Sequence, residues 1–371
     1  MTITESCGES RVAPRPGVME IAPYQVGGSH LDGAAKIIKL SANENPWGPS
    51  PRAIEAMRAA GERLALYPDA DSSDLRSAIA EIHGLDRARI VCGNGSDELL
   101  QLLAFAYARD GDEVLHSRHG FLLYPSYALM NGATPVAAPE TNLTSDVDAL
   151  LAACTERTRL VYLANPNNPT GTRLNSQEVE RLAAGIPEHA LLILDAAYAE
   201  YVDADDYDGG ASLVERRPNV VMSRTFSKIY GLAALRVGWI YASADVVAVI
   251  NRVRGPYNLN AAAQAAAAAA MRDVEYTARI RAETLRLRAR LVADLAASGV
   301  STTPSHGNFV LAAFGEGETG AAAADAFLKS RGIIARRVDA YGLAGHLRIT
   351  IGDEAACDAV AAAIREFRGL T

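Results

Sequence analysis

Cysteine is scarce. Four occur in 371 residues, at positions 7, 92, 154 and 357, with no CxxC pair and no histidine at ligand spacing beside them. A disulfide framework is therefore not what organises this chain, and a reducing cytoplasm with free thiols is the expected setting. The seven histidines form no HExxH or similar pattern, so no metal site is expected. Basic residues are also in deficit. Lys and Arg number 36 against 44 Asp and Glu, a formal charge of −8, which argues against a nucleic-acid surface or a polybasic membrane patch. No uninterrupted apolar run is long enough to span a bilayer. The first six residues, Met1 to Ser6, offer neither a basic start nor an apolar h-region, so no export signal is visible.

What is present suits a large soluble α/β protein. Hydrophobic residues make up 49% of the chain, enough for a sizeable core, and the length suggests two domains. Residues 1–36 are rich in Pro and Gly and aperiodic, and read as an arm lying across something larger. From residue 37 to about 270, short apolar β-prone runs (37–40, 90–92, 113–115, 134–137, 160–163, 191–194, 219–222) alternate with helical patterns (51–66, 74–83, 99–107, 124–130, 177–184). The continuous run at 191–194 fits a strand covered on both faces, and the alternation predicts a doubly wound, mostly parallel sheet. Residues 271–371 predict a smaller α+β domain, with a long helix over 273–298, strands at 308–313, 333–336 and 346–350, and helices over 321–331 and 354–368. Gly315 to Gly320 formally matches GxGxxG. However, Glu316 and Glu318 put two carboxylates where a pyrophosphate needs positive potential, so a surface turn is expected there.

Three polar residues fall just beyond strand ends, where sites collect in open α/β sheets: Asn168 after 160–163, Asp195 after 191–194 and Lys228 after 219–222. A lysine shielded from water at such a position is a usable nucleophile. Around it stand Ser223, Thr225 and Ser227, with Arg236 eight residues on, a set suited to a bound phosphate. Gly93-Asn94-Gly95-Ser96-Asp97-Glu98, between a strand and an apolar helix, leaves backbone N–H groups free to face an anion.

These pieces together resemble the fold-type I pyridoxal-phosphate enzymes, the aspartate aminotransferase superfamily, and more narrowly the histidinol-phosphate aminotransferases. The stretches that carry the resemblance are Ala22-Pro23-Tyr24, Asn43-Glu44-Asn45-Pro46, Tyr67-Pro68, Gly95 to Glu98, Asn165 to Gly171, Asp195 to Tyr198, Thr225 to Lys228 with Arg236 to Gly238, and Leu347 to Thr350. They span nearly the whole chain in the family's order. The resemblance implies that Lys228 carries pyridoxal 5′-phosphate covalently and afterwards moves the substrate proton. Asp195 would hold the ring nitrogen protonated, while Asn168 and Tyr198 would bind the ring's phenolic oxygen. Gly95, Ser96, Asp97, Thr225, Ser227 and Arg236 would hold the phosphate, and Phe121 would stack on the ring. Tyr67 would reach the cofactor of a neighbouring subunit, so a homodimer would share its active sites. Tyr24, Asn43, Asn168, Asn308, Arg336 and Arg348 would bind substrate, with Arg336 and Arg348 forming one cationic pocket for both glutamate (or 2-oxoglutarate) and histidinol phosphate. Arg337, next to Arg336, leaves the register open.

Three rivals share parts of this pattern. An aminotransferase for aromatic amino acids would use the same machinery, with Phe121 or Tyr24 lining its pocket. A decarboxylase of a phosphorylated amino acid would differ in not consuming 2-oxoglutarate. A cofactor-sensing transcription regulator would need a DNA-binding helix-turn-helix ahead of residue 37, and residues 1–36 are too short and proline-rich for one.

Overall fold

The computed structural model describes residues 12–24, 27–28, 30–31 and 37–370. Its centre is a seven-stranded sheet in the order Ile90–Gly93, Gly238–Tyr241, Val220–Thr225, Leu191–Asp195, Thr158–Ala164, Glu113–Ser117, Thr134–Ala138. Every pairing from Val220–Thr225 to Thr134–Ala138 is parallel, whereas Gly238–Tyr241 runs antiparallel to both of its neighbours. The run Leu191–Asp195 is buried at all five positions, as expected of a strand covered on both faces. Alternate residues feed two separate cores. Leu192, Leu194 and Met222 pack on one face; Leu160, Tyr162, Ile193 and Val221 pack on the other against the helix Ser96–Tyr107.

The C-terminal part builds its own core from Leu287, Leu291, Val310, Leu347, Val360 and their neighbours. Its antiparallel sheet runs Ser301–Thr302, Phe309–Ala313, His346–Thr350, Arg336–Arg337, covered by the helices Val274–Ala297, Ala321–Ser330 and Glu354–Phe367. The GxGxxG stretch is a turn with residues 315–319 exposed and with Gly315 and Gly317 at positive φ, in keeping with the sequence reading.

Three expectations shift. The helix expected over 51–66 is Pro51–Gly61; beyond it Leu64 and Leu66 are exposed, with no core to pull them into a further turn. The strand expected at 219–222 is Val220–Thr225, so the hydroxyl residues 223 and 225 lie within the sheet. The first strand, Ile38–Lys39, expected in the large unit, pairs parallel with Ile333–Ile334. Leu40 explains this: it is buried in the C-terminal core, and its backbone bonds to Ile334 and Thr350 on that side. The chain therefore leaves the small unit at Leu40, and residues 41–44 form part of the wall between the two units.

Candidate active site

A cavity of about 310 Å³ opens at the carboxyl ends of the parallel strands, between the two units. Asp195, the last residue of Leu191–Asp195, lies at its floor. It is 7% exposed, and burial raises its carboxyl to about 6, partly offset by a hydrogen bond from Tyr124 and by the charge of Lys228. Oδ2 accepts from the Tyr124 hydroxyl at 2.8 Å, while Oδ1 has no partner. A buried carboxylate oxygen without a donor is costly, so the floor suits a ligand that brings an N–H to it.

Lys228, half-buried, lies three residues past Thr225 and faces the same cavity, its Nζ 5.6 Å from the centroid of the Tyr198 ring. Tyr198 is fixed on its other sides. Its hydroxyl accepts from Asn43 Nδ2 at 2.9 Å, and its ring meets Phe309 edge-on at 5.1 Å. Phe121 lines the cavity as well, edge-on to Tyr124 at 5.8 Å.

One end of the cavity is an anion cradle. Helix Ser96–Tyr107 starts from Gly95 with no side-chain cap, leaving its first N–H groups to whatever binds there. Gly95 occupies the cap position at φ 86, a conformation that glycine adopts readily, and has no side chain to cap with. A Cβ at Gly95 would collide with the Arg236 guanidinium, and one at Gly238 would drive into the Gly95–Ser96 backbone, so both glycines make room for the close approach. Arg236 sits at φ 55, held by bonds to the Ala233 carbonyl and Ser227 Oγ (both 3.2 Å) and by an ion pair with Asp97 at 3.2 Å. Asp97 bears a charge of the wrong sign for an anion, so it can serve the cradle only through its backbone N–H and its grip on Arg236. Thr225 Oγ1 accepts from the Ser227 amide at 3.1 Å, which sets the turn that presents Lys228.

The opposite wall is cationic. Arg348, buried on His346–Thr350, donates to Asn168 Oδ1 and, at 2.8 Å, to the Ser41 carbonyl, with its guanidinium 5.5 Å from the Phe309 centroid; its Nε has no partner. Arg336 pairs directly with Arg348 across the small sheet and lines the cavity with Tyr24 and Asn168. The register is thereby settled: Arg337 turns away and pairs with Asp339. Asn43 also lines the cavity, and Asn308 lies behind it. Asn43 exchanges bonds with Thr350, and Asn308 donates to the Asn43 carbonyl at 3.0 Å while its own Oδ1 is left without a donor.

Tyr67 alone among the expected site residues lies apart. It is 81% exposed and stacks on Tyr257 at 4.6 Å, outside the cavity. The sequence reading missed Tyr124, whose bond to Asp195 crosses 71 residues; its only sequence signal was its place three residues after Phe121. It also missed the buried ion pair of Arg224 with Glu200 at 2.8 Å, which ties the end of the lysine strand to the turn after Tyr198.

A doubly wound sheet with an aspartate at one strand end, a lysine beyond the next and an uncapped helix at the anion cradle has the architecture of a fold-type I enzyme. The chain belongs to the family aminotransferase class I and II, whose model matches residues 35–364. It is 54% identical over 360 residues to a histidinol-phosphate aminotransferase of Ruegeria pomeroyi, covering 97% of this chain and 99% of that protein. A protein of the same name from Paracoccus denitrificans is 53% identical, with 98% of each chain covered. Among solved structures, the histidinol-phosphate aminotransferase of Sinorhizobium meliloti in complex with pyridoxal-5′-phosphate superposes with a TM-score of 0.85 at 33% identity, covering 90% of this chain and 92% of that one.

Proposed function

We propose that this chain transfers an amino group between L-histidinol phosphate and 2-oxoglutarate, giving imidazole acetol phosphate and L-glutamate, with pyridoxal 5′-phosphate attached at Lys228. The observation that carries the substrate assignment is the pair Arg336 and Arg348, in register on adjacent strands and facing the cavity that holds Asp195 and Lys228. A phosphate ester and a dicarboxylate both present a planar or tripodal anion to such a wall, and two guanidiniums accept either in alternate half-reactions. The names of the relatives described above support the same reading.

The residues present fit the cofactor. The unpartnered Oδ1 of Asp195 suits the ring N–H, the uncapped helix with Thr225, Ser227 and Arg236 suits the phosphate, and Phe121 suits the ring face. When bound, the cofactor supplies an electron sink that makes the substrate Cα–H acidic. Lys228 Nζ would take that proton from the substrate Cα and return it to the cofactor carbon bonded to the same nitrogen, the Asn168 and Tyr198 side chains would orient the ring oxygen, and Asp195 would stay ionised beside the ring nitrogen. The large unit is proposed to extend over 37–270 and the small one over 271–371, with the strand at 38–39 docked on the small one. The exposed Tyr67–Tyr257 stack suits contact with a second subunit in a homodimer.

The test offers histidinol phosphate, phenylalanine and tyrosine separately with 2-oxoglutarate and compares kcat/KM. The reading requires histidinol phosphate to lead by tenfold or more; a flat or inverted order would assign the enzyme to aromatic amino acids. Turnover without 2-oxoglutarate would point to a decarboxylase. Arg348→Ala is expected to lower kcat/KM for both glutamate and histidinol phosphate, and loss of only one would refute the shared pocket.

A further inference from the structure

We infer that Tyr124 is the positioning residue for Asp195: its hydroxyl fixes one carboxylate oxygen so that the other is presented, unpartnered, to the ring nitrogen of the cofactor. The inference rests on the proposed pyridoxal-phosphate site and adds to it a residue that does not touch the cavity. Tyr124 is absent from the cavity wall and is completely buried, so it acts on the site only through what it holds.

What holds Tyr124 is itself rigid. The residue lies on the helix Leu123–Met130, and its ring stacks on Tyr162 with centroids 4.6 Å apart and planes 7° from parallel. Tyr162 is anchored in turn by its hydroxyl, which donates to the Leu100 carbonyl at 2.7 Å. Strand register places Tyr162 opposite Ile193, two residues from Asp195 and on the same face of the sheet. The phenol therefore reaches the strand end from a platform built on the sheet, and the Phe121 ring closes its edge at 5.8 Å. A tyrosine hydroxyl has one proton to give. Once that proton goes to Asp195 Oδ2 at 2.8 Å, the carboxylate cannot rotate without leaving the hydroxyl buried and unpaired.

The same bond acts on charge. Burial favours the neutral form of Asp195, the negative charge of Asp97 on the facing helix pushes the same way, and the Tyr124 bond, the Lys228 charge and, least, the Ala197 amide oppose them. Tyr127 and Tyr162, the other phenols near this carboxylate, are held neutral by burial and add no charge. Of these opposing groups, the Lys228 charge is the one that changes when Lys228 reacts, while Tyr124 and the smaller contribution of the Ala197 amide persist. A protonated Asp195 cannot pair with a cationic ring, so loss of the hydroxyl costs orientation and charge together.

The experiment uses full-length wild type, Tyr124→Phe, Asp195→Asn, the double variant, and Tyr162→Phe, which removes the phenol that anchors the platform under Tyr124 but leaves the bond to Asp195 in place. Affinity for pyridoxal phosphate is measured by fluorescence titration of the cofactor-free protein. Tyr124→Phe is expected to weaken binding tenfold or more, to have no further effect in the Asp195→Asn background, and to exceed the effect of Tyr162→Phe. Equal losses in both backgrounds, or wild-type affinity for Tyr124→Phe, would overturn the inference. An independent readout is the titration of Asp195 in the cofactor-free protein by carboxyl ¹³C NMR. There Tyr124→Phe must move the Asp195 titration to higher pH, and an unmoved titration refutes the inference even if wild type binds no cofactor. Failure of wild type to bind pyridoxal phosphate would refute the proposed function instead.

Discussion

Burial puts Asp195 under electrostatic tension at the floor of the cavity. Its carboxyl, ordinarily near 3.8, is raised to about 6 by burial, so the folded protein binds its proton more tightly than the unfolded chain does. The sign follows: the stabilising contribution is complete below about pH 3.8 and is lost as pH rises through about 6. In the cofactor-free protein the ionised group therefore costs on the order of 3 kcal/mol at pH 8. Asp195→Asn is expected to raise cofactor-free stability at pH 8 by roughly 2–3 kcal/mol in urea unfolding, an advantage that fades between pH 6 and pH 4. A pH-independent difference would place the tension elsewhere. The same substitution leaves nothing anionic for the ring nitrogen, so what it gains in stability it loses in function, a trade expected of a strained site.

At the scale of elements, the site is held where the turn after Tyr198 meets the end of the lysine strand, through Arg224 and Glu200. Both side chains are nearly buried, at 8% and 10% exposure, so breaking the pair leaves an uncompensated charge. Arg224→Met alone is expected to cost about 3–5 kcal/mol in urea unfolding, and adding Glu200→Leu should restore most of it. If the double variant is as unstable as the single, the pair is not what ties these elements. Sequence pattern made these elements legible because the apolar runs ending at Asp195 and near Lys228 are short, continuous and bounded by polar residues. It made the anion cradle legible because a glycine-rich turn before an apolar helix leaves backbone N–H groups facing outward, though the same pattern also begins ordinary capped helices. It did not reveal pairings set by three-dimensional closure. Ile38–Lys39 looks like any sheet strand, and nothing local marks its partner as Ile333–Ile334. Gly238–Tyr241 gives no sign that it inserts antiparallel between Ile90–Gly93 and Val220–Thr225. Tyr124 reads as an ordinary helical aromatic until the fold brings Asp195 to its hydroxyl.

The whole molecule places a cationic wall on one unit and the lysine, aspartate and anion cradle on the other, with the cavity between them. Tyr67 lies outside this arrangement, on the surface, and the proposed homodimer gives it a place. If each site takes Lys228 from one chain and Tyr67 from the other, mixing Lys228→Ala with Tyr67→Ala and allowing subunits to exchange should restore activity. Each mixed dimer then holds one complete site. No recovery after verified exchange would confine each site to a single chain. All of these assignments depend on the attachment of the cofactor at Lys228. The most direct measurement is to load the purified full-length protein with pyridoxal phosphate, reduce it with borohydride, and map the modified peptide by mass spectrometry. The account predicts one pyridoxyl group per chain, on Lys228. Label on another amine, or none at all, would contradict it.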